Sequence, residues 1–112
     1  MNTQYTYNAL CTDVYDGDSV TLDIDLGFNM WMRNQKIRLL GIDTPEIRGE
    51  ERPEGLVAAS RLRDLIEDHE VTLQSHKDKS GKYGRWLGTI YLDGVNMNQL
   101  LLDEGLAEPY PK

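Results

Sequence analysis

The chain has 112 residues, 39% of them hydrophobic, and a net charge of −7, which suits one domain with one core and excludes a large layered sheet. The acidic balance argues against a basic phosphate-attracting domain, an objection that weakens if a bound cation reverses the local charge. The lone Cys11 excludes an internal disulfide and reads as a small apolar strand residue, and no apolar run approaches the roughly eighteen residues of a membrane helix.

No repeat, linker or low-complexity tract divides the sequence, so residues 1–112 are expected to form a single domain. The amino terminus lacks a basic segment followed by an apolar one, which predicts no secretory signal and a cytoplasmic location. "TYNALCTDVYD" mixes aromatic and β-favouring residues and predicts a first strand. Asp16-Gly17-Asp18 is a turn signal. "SVTLDIDLG" then alternates, with Val20, Leu22, Ile24 and Leu26 on one face and Thr21, Asp23 and Asp25 on the other. "FNMW" predicts a second turn and "QKIRLLGI" a third strand. "EIRGEERPEG" is polar, holds Gly49, Pro53 and Gly55, and reads as a loop.

From Glu54 the period changes: Ala58, Leu62, Leu65 and Ile66 form one stripe of a helix reaching about Asp68. "EVTLQSH" predicts a fourth strand, "KDKSGKYG" a glycine-containing loop and "RWLGTIYL" a fifth strand. After an Asp-Gly turn, Asn96 is a candidate N-cap and Gly105 a candidate C′ residue of a short second helix. The order β-β-β-α-β-β-α is that of the five-stranded Greek-key barrel called the OB-fold, an α+β but mainly β class.

Several residues have two readings. Asp16 and Asp18 are turn residues of a hairpin, or Asp18, two positions before Val20, lies on the core-facing row and needs a partner. Asp43 and Thr44 form an Asx or Ser/Thr turn, or belong to a metal site. Pro45 restricts Thr44 to an extended conformation and fixes its carbonyl direction. A fixed carbonyl flanked by carboxylates from two strands suits a hard, oxygen-seeking cation. Glu46 is a loop acid paired with Arg48, or a group that takes a proton from water. Arg38, mid-strand, is a cross-strand partner of Asp23 or Asp25, or a phosphate ligand with a planar donor fork. His76 to Arg85 carries Lys77, Lys79, Lys82 and Arg85 around Tyr83, a solvated loop or a mixture suited to single-stranded nucleic acid. His69 and His76 have no zinc-ligand spacing.

"DGDSV", "IRLLGIDTPE" and "KYGR", in this order on these elements, resemble the staphylococcal nuclease (thermonuclease) family from about Leu10 to Ala107. The resemblance implies a metal-dependent, sequence-nonspecific endonuclease that cuts DNA, with RNA as a further substrate, and leaves 3′-phosphate ends. It implies Asp18 and Asp43 as calcium ligands with the Thr44 main-chain carbonyl, Mg²⁺ or Mn²⁺ being alternatives to Ca²⁺. Glu46 matches the family's general base, Arg38 and Arg85 its phosphate-gripping arginines, and Lys82, Tyr83 and Tyr110 its substrate-side residues. Single-stranded nucleic acid is the expected partner, with no membrane, and the chain is expected as a monomer or weak homodimer. The loop after Glu46 is shorter than in the secreted members, and the sequence stops before the family's C-terminal helix. The alternative is a catalytically weak or inactive module of the same fold that binds nucleic acid or a peptide. Retention of Asp18, Arg38, Asp43, Glu46 and Arg85 separates the two in favour of the enzyme.

Overall fold

The computed structural model describes residues 5–80 and 85–110. Three long strands come first: β1 (Thr6–Asp16), β2 (Ser19–Gly27) and β3 (Met30–Leu39). A short β4 (Ile42–Asp43) and a 3₁₀ turn (Gly49–Glu51) lead into α1 (Arg52–Ile66). Then follow β5 (Glu70–Ser80), β6 (Trp86–Leu92), β7 (Val95–Asn96), α2 (Met97–Asp103) and β8 (Glu108–Pro109).

The strands run in the order β3-β2-β1-β5-β6, and β3 also pairs with β6, which closes a five-stranded barrel. This is the mainly β, OB-type barrel that the element order predicts. The closing pairs are parallel: Ile37 with Trp86, Arg38 with Leu87 and Leu39 with Gly88. β1 meets β2 with two register irregularities, near Asp13 and near Asp16; such bulges sharpen local twist and help a sheet curl shut.

The interior is built from the alternating rows. Val14, Val20, Leu22, Ile37, Leu39, Leu73 and Ile90 are buried, and α1 adds Leu62 and Ile66 while α2 adds Met97 and Leu101. Burial of this kind contributes about 1.5–3 kcal/mol per large aliphatic side chain. Asn98 is the polar exception inside: its Oδ1 accepts the Ile90 N–H at 3.2 Å, and its Nδ2 donates to the Leu40 and Gly88 carbonyls at 2.9 and 3.1 Å. It ties α2 to the β3–β6 seam. Asn96 caps α2, accepting the Gln99 N–H at 3.0 Å, and Gly105 follows the helix end, both as the sequence predicts.

Several boundaries differ from the sequence reading. The third strand ends at Leu39 rather than Ile42, because Gly41 turns the chain left-handed at φ 84° before β4. The second turn is confined to Phe28 and Asn29, both left-handed at φ 57° and 61°, so Met30 and Trp31 belong to β3. The helix starts at Arg52 rather than Glu54: Pro53 sits in its first turn, where a missing N–H costs nothing, and Gly55 lies inside it. β5 continues through Ser80, beyond His76. An antiparallel pair between β4 and β8, Ile42 with Pro109 and Asp43 with Glu108, has no sequence signal of its own.

Candidate active site

The Asp16-Gly17-Asp18 turn is drawn inward because Gly17 has no side chain. A Cβ there would lie 2.8 Å from Thr44 Cγ2 and 2.9 Å from Ala58 Cβ. The close approach lets the Thr44 N–H donate to Asp18 Oδ2 at 3.1 Å, linking the first hairpin to the strand exit after β4. Asp18 therefore sits in the turn and faces Thr44, not on the Val20–Leu22–Ile24 row. Its other oxygen accepts the Ser19 hydroxyl at 3.2 Å, and Asp16 Oδ1 accepts the Asp18 N–H at 3.1 Å. Both aspartates are buried. Burial, and then the neighbouring Asp18 carboxylate, push the Asp16 carboxyl up to about 7.

Arg38 reaches this acidic turn from β3. Its guanidinium lies 3.6 Å from Asp18 Oδ2 and 3.4 Å from Asp43 Oδ1, and donates to the Ile42 carbonyl at 3.0 Å. The Tyr110 ring covers it at 5.2 Å, brought there by β8. The alternative partners fall away: Asp23 is taken by Arg33 at 3.1 Å and by the Asn34 N–H at 2.9 Å. Arg85, just before β6, donates to the Ser19 hydroxyl at 3.2 Å. The barrel seam thus brings Arg38 and Arg85 to one wall.

Glu46 is exposed and stands beyond Pro45 at the edge of the same cleft. Its main chain is held on both sides. The N–H donates to Glu51 Oε1 at 3.2 Å. The carbonyl rests on α1 at Gly55, where a Cβ would come within 2.1 Å of the oxygen. Arg48 donates to the Tyr15 hydroxyl across the cleft rather than closing on Glu46.

Asp16, Asp18, Ser19, Lys36, Arg38, Asp43, Glu46, Arg48, Arg85 and Tyr110 all line one open cleft of about 960 Å³, with Thr44 directly behind it. The donor set is all oxygen, as calcium or magnesium prefers. Two adjacent buried carboxylates, Asp16 and Asp18, of which Asp16 has a raised affinity for protons, and a buried Thr44 Oγ1 without a hydrogen-bond partner among the described residues, mark a place short of positive charge. The residues fit a hard divalent cation held by Asp18, Asp43 and the Thr44 carbonyl, with Asp16 beside them. Among the described residues no three or more His, Cys, Asp or Glu side chains gather into a cluster that could hold a metal; the proposed set draws only two of its oxygens from carboxylates and one from the backbone.

The sequence reading took Asp16 as a turn residue alone, its burial arising from tertiary packing at Gly17, and passed over Lys36, whose amine donates to Thr21 Oγ1 at 3.0 Å on the cleft wall. Lys36 lies two positions before Arg38, so strand alternation could have found it. Lys82 and Tyr83 lie outside the described residues. His76 bonds Thr89 Oγ1 at 3.1 Å and His69 the Glu67 carbonyl at 2.8 Å, in keeping with structural roles.

Comparison with known proteins gives a consistent picture. Residues 36–112 match the model of the family described as staphylococcal nuclease homologue. Endonuclease YncB of Bacillus subtilis is 30% identical over 110 residues, covering 95% of this chain and 49% of its own length. A thermonuclease of Staphylococcus intermedius is 31% identical over 97 residues, covering 84% and 54%, and one of Staphylococcus hyicus is 31% identical over 107 residues, covering 93% and 59%. The chain spans about half the length of these curated relatives.

Proposed function

As this chain belongs to the staphylococcal nuclease homologue family, we propose that it is a nuclease that hydrolyses phosphodiester bonds of DNA and RNA without sequence preference, using Ca²⁺, and leaves 3′-phosphate ends. The observation that carries the reading is the convergence of Asp18, Arg38, Asp43, Glu46 and Arg85 on one cleft from four separate segments. Relatives named thermonuclease and endonuclease support it.

Attack of water on a phosphodiester builds negative charge on the non-bridging oxygens, so donors must be aimed where that charge grows. Arg38 and Arg85 present two guanidiniums on the same wall. The Arg38 contacts to Asp18 and Asp43, at 3.4–3.6 Å, are longer than the roughly 2.7–2.9 Å of a tight charge-assisted bond. That slack leaves its fork ready to turn to a phosphate. Glu46, exposed at the cleft edge, takes the proton of the attacking water as general base. Asp18, Asp43 and the Thr44 carbonyl would hold the cation, which would supply charge neutralisation and a more acidic water. Tyr110, laid over Arg38, limits where that guanidinium can swing and offers a ring to a nucleotide base.

The test is hydrolysis of denatured DNA in Ca²⁺, in Mg²⁺ and in EDTA, wild type against Arg38→Ala. Calcium-dependent cutting that falls by at least about 100-fold in the variant is the expected result. Binding without cutting in every buffer would replace the nuclease with a nucleic-acid-binding module.

A further inference from the structure

The β2–β3 hairpin continues beyond the barrel as an arm, and one of its faces starts inside the cleft. Residues directly opposite in an antiparallel pair share a face. Ser19 with Arg38, Thr21 with Lys36 and Asp25 with Trp31 therefore form one outward row. Arg33 joins that row through its 3.1 Å contact with Asp23. The near end, Thr21, Lys36 and Arg38, lines the cleft. The far end is Trp31, 42% exposed. At about 3.3 Å per residue, Trp31 stands roughly 20 Å along the strand from Arg38.

The far end is built rather than incidental. The Arg33 guanidinium lies 4.6 Å over the Trp31 ring. Asp23 anchors that guanidinium while also accepting the Asn34 N–H at the bulge. The result is a fixed indole–guanidinium stack in which the cation is already compensated. Such a stack suits the π-face of a base better than a phosphate. Among the described residues the nearer Lys36 bonds a hydroxyl, Thr21 Oγ1, and no carboxylate, which suits it to an anion. Asp25, the other acid of the row, accepts the Gly27 N–H at 2.8 Å.

We propose that this row is a second contact surface for single-stranded nucleic acid, continuous with the cleft. Lys36 takes a backbone phosphate next to the cleft and the Trp31–Arg33 stack takes a base farther out. The proposal rests on the nuclease reading for its substrate, and it adds that longer strands are held better than short ones. With one phosphate contact, at Lys36, the arm adds only about −0.7 to the salt slope, and the rest of its gain comes from stacking.

The experiment is a titration in EDTA, where cleavage is suppressed, of an oligothymidine of about twelve nucleotides and of a dinucleotide, a range set by OB-fold site sizes. Affinities are read from the fluorescence anisotropy of a dye-labelled strand for every variant, and Trp31 emission is followed separately in a Trp86→Phe background. The oligomer is expected to quench it. Trp31→Ala is expected to weaken oligomer binding by roughly 5- to 150-fold, with dinucleotide affinity changed less than about twofold, and Lys36→Ala is expected to weaken the oligomer as well. Trp31 is exposed, so loss of fold is not at issue. Oligomer affinity within about twofold of wild type in both variants would overturn the proposal. Phe28 stands almost fully exposed at the hairpin tip, and a concentration-dependent dimer that Phe28→Ser abolishes and the oligomer does not compete would also overturn the proposal, since the tip would then be an interface between copies. If the wild type cuts nothing even in Ca²⁺, the nuclease reading fails, while the titration still decides the arm.

Discussion

Gly55→Ala adds a single methyl group on α1, at a residue that does not itself line the cleft, and is expected to disable catalysis. The new Cβ would lie 2.1 Å from the Glu46 carbonyl oxygen, 2.5 Å from its carbon and 2.9 Å from the Ile47 nitrogen. Ordinary contact begins near 3.4 Å, and all three neighbours are backbone, so no rotamer change can relieve the clash. The Glu46 segment must retreat by at least about 1 Å, a misplacement that costs on the order of 100-fold in rate when a catalytic group is involved. The corresponding barrier change is about 2.7 kcal/mol. Stability moves less: alanine gains about 1 kcal/mol of helix propensity over glycine, against an overpacking cost of about 1–3 kcal/mol. Steady-state kinetics on denatured DNA in saturating Ca²⁺ should show kcat falling about 100-fold, KM near wild type and a melting temperature shifted by only a few degrees. Leu56→Ala, one position along at an exposed site, serves as the control. A Gly55→Ala enzyme with kcat within about threefold of wild type would refute the reasoning.

Three more outcomes follow from the same geometry. Gly17→Ala places a Cβ against Thr44 Cγ2 and Ala58 Cβ; it should cost about 1–3 kcal/mol in urea denaturation and weaken calcium binding by calorimetry, as Asp18 is pushed off the Thr44 N–H. Asn98→Ala strands the Ile90 N–H and the Leu40 carbonyl, while the Gly88 carbonyl keeps the Leu40 N–H at 2.8 Å; a loss of about 2–4 kcal/mol is expected in the same assay, and a change under about 1 kcal/mol would show that the seam does not depend on it. Asp23 is held below the usual carboxylate range, first by the Asn34 N–H and then by Arg33. A depressed folded-state pKa gives stability that is present at neutral pH and lost as acid protonates the group. Asp23→Asn should therefore lower the urea midpoint at pH 7 and converge with wild type at strongly acidic pH; equal gaps at both would remove the assignment.

The first hairpin was legible to the residue because alternation and the Asp-Gly-Asp turn are local signals that the core then satisfies. β3 was read short at its start because Met30 to Gln35 lies on an arm with no fully buried face, so no alternation is imposed on it. The start of α1 was hidden for a related reason. Pro53 and Gly55 look like helix breakers, yet one occupies the first turn and the other is demanded by the Glu46 carbonyl packed on it. β4 and β8 are two residues each and exist only once the barrel is closed. At the cleft, Asp18, Arg38, Asp43, Glu46 and Arg85 could be named from the resemblance of "DGDSV", "IRLLGIDTPE" and "KYGR" to the nuclease family, each residue alone having two readings. The burial of Asp16 could not, because it depends on Gly17 meeting Thr44 and Ala58 across the fold.

The parallel seam between β3 and β6 also has a kinetic meaning. Ile37 finds Trp86 across 49 positions of sequence, whereas the β1–β2 hairpin closes over a two-residue turn. Contacts so distant in sequence carry the larger loop-closure cost and set the pace of folding in barrels. Arg38 and Arg85 ride on the two sides of that seam, so neither hairpin alone can present both. Nuclease activity would then serve as a readout of barrel completion: in refolding it should return with the slow phase, after the first hairpin has formed, and a half-assembled chain would pass harmlessly along a nucleic acid.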